Sequence, residues 1–114
     1  SQESPLEQSI KRGEAVYIDF CKRCHMPNGK GVGTTYPPLA GSNWLEEKRK
    51  ESIHSVKYGL NGEIQVNGKT YNNVMTPLGL SDDEVADVMN YVMNSWGNTQ
   101  ETMVTKDEVS AIKK

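Results

Sequence analysis

Five residues, Cys21-Lys22-Arg23-Cys24-His25, constrain this chain more than any other stretch. They hold both of its cysteines and one of its two histidines. On a helix, residues three apart lie on one face about a turn apart. Two thiols placed in this way can add to two vinyl groups of a haem as thioethers, and the next residue can turn its imidazole to the iron. C-x-x-C-H is the pattern of c-type haem attachment, and attachment consumes both thiols. Three plainer readings compete. Structural zinc takes four ligands, but Cys21, Cys24, His25 and His54 are the only soft candidates and there is no second C-x-x-C. A thioredoxin-like redox pair belongs in a βαβ context, which the pattern of this chain lacks. A simple disulfide or a chance match is the third.

A haem with one protein ligand calls for a second on its opposite face. Met26 adjoins His25 and cannot reach that face. Met89 lies on the apolar stripe of a helix, where core packing is its ordinary role. Met93 flanks the stripe, and Met103 sits in a polar tail. Met75 stands in a loop, Asn72-Asn73-Val74-Met75-Thr76-Pro77, and is the expected sixth ligand. His54 is the alternative, but polar neighbours on its helix make a surface role the simpler expectation.

The length of 114 residues suits one domain. Apolar residues make up 35%. Even with the glycines added, that falls short of the roughly 45–50% of an average domain. The core is therefore thin, and a large apolar cofactor at its centre would supply buried area. A net charge of −2 gives no basic stripe for nucleic acid, and no apolar run is long enough to span a membrane. The polar start Ser1-Gln2-Glu3-Ser4-Pro5 reads as a linker over 1–7 of a processed or trimmed product.

Apolar spacing predicts a helix over 6–24, in which Gly13 permits close packing of another helix. A loop rich in glycine and proline follows over 27–41. Residues 43–58 read as helix, in two pieces around the polar run 46–52, with Gly59 as the stop. Asn67-Gly68 between two short alternating runs predicts a hairpin over 64–71. Ser81-Asp82-Asp83-Glu84 is a capping box that opens a helix to Trp96, with the stripe Val85, Val88, Met89, Val92 and Trp96. Thr105-Lys106-Asp107-Glu108 opens a short terminal helix over 106–113 within a tail, 99–114. The expected fold is all-α, three to four helices with one small β-hairpin.

Taken in order, these features resemble the class I cytochrome c family. The resemblance covers residues 8–98. It rests on Gly13 and Tyr17, the Cys21 to His25 motif, Pro37-Pro38-Leu39-Ala40-Gly41, Met75 fifty residues after His25, and the helix from Ser81 to Trp96. The stretch 62–97 and Met103-Val104-Thr105 also look like bacterial cytochrome domains fused to, or partnered with, periplasmic dehydrogenases, copper nitrite reductases or terminal oxidases. Thr76 departs from the pattern, since proline commonly follows the ligand methionine there.

The resemblance implies a cytochrome c fold around one covalent haem c, with His25 and Met75 on the iron. The first and last main helices would cross at Gly13, with Val88 and Tyr91 packed there. The carbonyl of Pro37 or Pro38 would accept a bond from the far nitrogen of His25. Leu39, Ile53, Val56, Leu60, Val74, Val85 and Val92 are expected around the haem. The function implied is single-electron transport between redox proteins in the periplasm, by a monomer or a domain of a larger protein that is not itself an enzyme. The competing function is a haem enzyme or gas sensor with an open or labile sixth position. Electrons would leave at the haem edge, between Lys22, Arg23 and Lys30 on one side and Asp82, Asp83, Glu84 and Asp87 on the other.

Overall fold

The computed structural model describes residues 2–114. Helix α1 (Pro5–Phe20) starts where three local signals coincide. The Ser4 hydroxyl accepts from the Glu7 N–H at 3.1 Å, the Glu7 carboxylate accepts from the Ser4 N–H at 3.0 Å, and Pro5 occupies the first helical position. The first turn of α1 thus lies inside the stretch expected as linker. The helix also ends earlier than its apolar spacing suggests. Cys21 caps α1 in a distorted right-handed helical conformation (φ −118°, ψ −34°), and a separate turn, α2 (Lys22–His25), carries the rest of the motif.

The stretch 43–58 divides into α3 (Asn43–Glu47) and α4 (Arg49–Tyr58) at Lys48. Strands β1 (Ile64–Val66) and β2 (Lys69–Tyr71) form the hairpin, with Ile64 opposite Tyr71 and Val66 opposite Lys69. Its turn residues Asn67 and Gly68 have φ of +52° and +80°, as a type I′ turn requires. Asn43 and Asn67 each accept the other's backbone N–H on a side-chain oxygen, at 3.0 and 2.7 Å. Those bonds tie the turn to α3, so the hairpin does not stand alone.

Helix α5 (Asp82–Val92) begins with both halves of the Ser81/Glu84 capping box and stops at Met93. Trp96 lies beyond it, in a turn at φ +54°. Helix α6 (Lys106–Ala111) is capped by Thr105. The described residues form six helices: the four expected stretches, with 43–58 in two pieces as its polar run suggests and 6–24 divided at Cys21. Val104, Val109 and Ile112 are buried in the same cluster as α1 and α5, so residues 104–112 pack as part of one body. None of the described helices is long and apolar enough to cross a membrane.

The crossing of α1 on α5 organises the molecule. A Cβ on Gly13 would lie 1.9 Å from the Asp87 carbonyl oxygen and 2.8 Å from the Tyr91 Cβ. Asp87 and Tyr91 thus meet Gly13 directly; Val88, also expected at this crossing, is buried in the same cluster as Tyr17 and lines a cavity as well. Gly13→Ala must push the helices apart and should destabilise the protein by roughly 3 kcal/mol, the upper range for overpacking. Chemical denaturation measures this, and an unchanged midpoint would contradict so close a crossing.

Around the crossing, Ser9 donates to Asp87 at 2.6 Å, Arg12 donates to Asp87 at 2.9 Å, and Asn90 donates to Ser9 and to the Val104 carbonyl, both at 2.9 Å. Asp87, expected as a surface acid, is a buried member of this network. Tyr91 lies off the main stripe because its ring packs 5.3 Å from Tyr17 and 5.7 Å from Trp96.

Candidate functional site

The kink at Cys21 brings both cysteines and His25 to one wall of a hollow. Cys21 and His25 are buried, and Cys24 is half-buried. Met26 closes α2 at φ +69°, a left-handed conformation uncommon outside glycine. The Tyr17 hydroxyl donates to the Met26 carbonyl at 2.6 Å and Trp96 donates to the Pro27 carbonyl at 2.9 Å, so the aromatic cluster holds this turn.

The loop then folds back. Gly31 donates to the His25 carbonyl at 3.0 Å, and a Cβ there would lie 2.1 Å from the Tyr36 carbonyl oxygen. Only glycine allows that approach, which delivers Pro37 to His25. The His25 Nδ1–H donates to the Pro37 carbonyl at 2.9 Å. Pro37, not Pro38, is therefore the partner. The bond fixes the ring and leaves Nε2 with its lone pair. Burial pushes the His25 pKa down, against the opposing effect of the Pro37 bond, and so favours the neutral, ligating form.

Two adjoining cavities, of about 240 and 80 Å³, open from this wall. Cys21, His25, Pro37, Leu60, Ile64 and Met75 line both, and Cys24 lines the larger. Met75 is placed by an isolated antiparallel bridge: Leu60 and Met75 exchange N–H···O bonds, both of 2.8 Å. Gly59, at φ +90°, lets the chain pass close to the Met75 carbonyl. Sequence reasoning did not detect this bridge, because nothing in local pattern pairs residues fifteen apart across a hairpin.

Of the other expected lining residues, Leu39, Val56 and Val92 take part in the smaller cavity. Ile53 and Val85 are wholly buried but pack between helices away from both cavities. Val74 reaches the larger cavity yet is 66% exposed, so it forms the rim. Met89 is 1% exposed, sits on α5 and touches only the smaller cavity. His54 lines neither; its ring packs 5.1 Å from Tyr58 beside an open groove. Trp44, visible as an apolar residue in a polar stretch but not assigned to the site, helps to line the smaller cavity.

The donor set fits a haem and not its rivals. A neutral imidazole and a thioether line one apolar hollow, and two thiols sit on its wall. Among the described residues no three His, Cys, Asp or Glu side chains gather as a metal cluster, which removes the zinc reading. Burial pushes the Cys21 thiol up to about 11, whereas a redox-active C-x-x-C needs a lowered pKa. The two cysteines are not joined in a disulfide.

Fold and site together define a small helical domain built to hold a covalent haem. The cytochrome c family model matches residues 10–96, and the chain belongs to that family. Over 93 residues it is 38% identical to cytochrome c-552 of Thermus thermophilus, which covers 77% of this chain and 70% of that protein. It is 31% identical over 104 residues to the cytochrome c subunit of a quinone alcohol dehydrogenase from Gluconobacter oxydans strain 621H, covering 89% of this chain and 22% of that one. With the gluconate 2-dehydrogenase cytochrome c subunit of Pantoea cypripedii it shares 33% over 110 residues, 90% of this chain and 24% of that one. The chain thus spans most of the first relative and under a quarter of the dehydrogenase subunits. It is an electron carrier with covalently attached haem c.

Proposed function

We propose that this chain relays single electrons through a haem bonded to Cys21 and Cys24, with His25 and Met75 as its axial ligands. The observation that carries the reading is that these four side chains, three from the motif and one from a segment fifty residues on, line one hollow. The haem supplies the one-electron couple, and thioether ligation favours the ferrous state. The protein's own groups do the rest. The Pro37 carbonyl holds the imidazole in one tautomer and raises its basicity. The Leu60 bridge holds Met75 at the cavity that the motif also lines. Apolar walls of Leu39, Leu60, Ile64 and Val92 exclude water, so little rearranges when the charge changes.

A carrier fits better than the open-iron alternative. An enzyme of that kind needs a distal acid or base, and the described cavity linings contain no carboxylate, no lysine and no histidine besides His25. We assign the periplasm, or an equivalent space on the outer side of an energy-transducing membrane, as its location. We assign an oxidoreductase of the dehydrogenase, nitrite reductase or oxidase type as its partner, with this chain acting as a monomer or as one domain of a larger assembly. Kinship with dehydrogenase cytochrome subunits supports that partner class.

The electron exit we assign is the mouth of the larger cavity. Phe20, Tyr36 and Val74 line it while 45%, 38% and 66% exposed. Exposed apolar side chains grouped at one opening mark a contact surface. Lys22, Arg23 and Lys30 are exposed close by in the chain. The acids expected opposite them are less free, since Asp87 is buried and Asp82 is tied to Lys57 and Ser110.

Two measurements test the reading. The intact protein should outweigh its polypeptide by one haem after acid–organic extraction, with iron and no zinc; extractable haem would refute it. Electron transfer to a redox partner should change by about tenfold or less between low and physiological salt, because an apolar contact with few charges steers weakly. A several-hundredfold change would show a strongly charged docking face.

A further inference from the structure

The segment 59–81 carries Met75 and begins at the end of α4 and finishes at the start of α5. Its own internal ties are few: the short hairpin and the Leu60–Met75 bridge. Beyond that bridge, the contacts that hold its two stems together come from elsewhere in the chain. Lys57, whose side chain is only 14% exposed, donates to the Val109 carbonyl at 2.7 Å and the Ile112 carbonyl at 3.1 Å, and lies 3.4 Å from the Asp82 carboxylate. Asp82 is the first residue of α5 and accepts from the Ser110 hydroxyl at 2.8 Å. The Tyr58 hydroxyl donates to the Ile112 carbonyl at 3.2 Å.

One ammonium thus gathers the end of α4, the start of α5 and the end of α6. Its charge also complements the carbonyl end of α6. A second anchor keeps α6 along α4: Arg49 grips Glu108 with two bonds, of 2.7 and 2.8 Å, and donates to the Thr102 carbonyl at 3.1 Å. Such paired, planar contacts fix orientation as well as proximity. None of these groups lines the haem cavities.

We propose that the junction of Lys57, Asp82, Ser110 and the Ile112 carbonyl is a positioning device for Met75, clamping both stems of the 59–81 segment. Segments with few internal contacts open locally at a cost below that of global unfolding. The junction raises that local cost specifically. Lys57 is therefore a positioning residue that governs how often Met75 leaves its place, and α6 does more than add core. This inference rests on the reading of Met75 as an axial ligand.

The test uses the ferric holoprotein and imidazole as the probe. Imidazole competes for the position that Met75 vacates, and the weak far-red band of the iron–methionine bond reports the exchange. Lys57→Met keeps the length of the stem and removes the charge. It should speed the exchange roughly tenfold, and should speed amide hydrogen exchange at Leu60 and Met75 by a similar factor while leaving Val88 protected. Ser9→Ala, which weakens the α1–α5 network instead, should lower global stability but leave the imidazole rate within about twofold. The milder pair Tyr58→Phe with Ser110→Ala should act in the direction of Lys57→Met, by roughly threefold, if Lys57→Met folds poorly. Rates that stay within about twofold in the junction variants, or a Ser9→Ala rate that rises with its loss of global stability as theirs do, would overturn the proposal. A parent protein with no far-red band would instead overturn the ligation reading on which it rests.

Discussion

A chain carrying Cys21→Ala and Cys24→Ala should lose its haem and most of its native helix signal. The two cavities at the motif are lined by Leu39, Trp44, Val56, Leu60, Ile64, Met89 and Val92, drawn from α3, α4, β1, α5 and two loops. In the haem-free variant these side chains face one another across a hollow of about 240 and 80 Å³. At about 24 cal/mol per Å³ of residual cavity, an uncollapsed hollow costs at most roughly 8 kcal/mol. A domain of this size has only about 5–15 kcal/mol of net stability. Collapse would recover part of the cost, but only by moving the hairpin and the Met75 segment inward from their places towards α5. Binding free energy that exists only in the folded state is folding free energy, by the linkage that couples metals to folding. Far-ultraviolet circular dichroism measures the outcome. A native-like spectrum and a sharp cooperative melt from the double variant would show that the helices carry the fold without the cofactor.

Met75→Ala should abolish the weak far-red band of the ferric protein and lower its reduction potential. The thioether favours ferrous iron, so its loss stabilises the oxidised form. The fall should be on the order of 100 mV, a modest part of the ~0.8 V that axial ligation commands. The structure makes the comparison variant informative. Met89 is nearly as close to the site in a coarse sense, since it touches the smaller cavity. It is, however, 1% exposed and packed on α5 beside Val85, Val88 and Val92, whereas Met75 lines both cavities from a separate segment. Met89→Leu should therefore keep both band and potential and cost only packing, under about 1.5 kcal/mol for a volume-conserving exchange. A Met75→Ala protein with an unchanged band would show that another residue holds the iron.

Local pattern was a good guide wherever the physics is local. The capping box at Ser81 and the hydroxyl cap at Thr105 mark their helices because the cap bond joins residues three apart. Asn67-Gly68 marks its turn because a type I′ geometry needs two positive φ angles. The attachment motif was legible for the same reason: five consecutive residues carry both cysteines and a histidine. Apolar spacing failed at Cys21, since periodicity continues across a kink that distorts only one residue's helical geometry. It failed again at Trp96, whose position in the stripe extrapolates a helix that has already ended at Met93. Acidity was likewise misread at Asp87, because a surface acid and a buried, fully bonded one look alike in sequence.

What the sequence by itself determined was the chemistry of the centre: two thiols and an imidazole at helical spacing, a loop methionine, and a glycine where two helices must touch. The tertiary structure decided which groups serve that chemistry. It chose Pro37 over Pro38, because only the backward fold at Gly31 delivers a carbonyl to the His25 Nδ1–H. It set Met75 opposite Leu60 across a hairpin, and it joined the stems of the Met75 segment through a lysine and a helix some fifty residues away. Such contacts arise between segments whose separation in the chain carries no periodic signal. Their energy comes from packing and from satisfying buried polar groups, and those terms exist only once the chain has closed on itself.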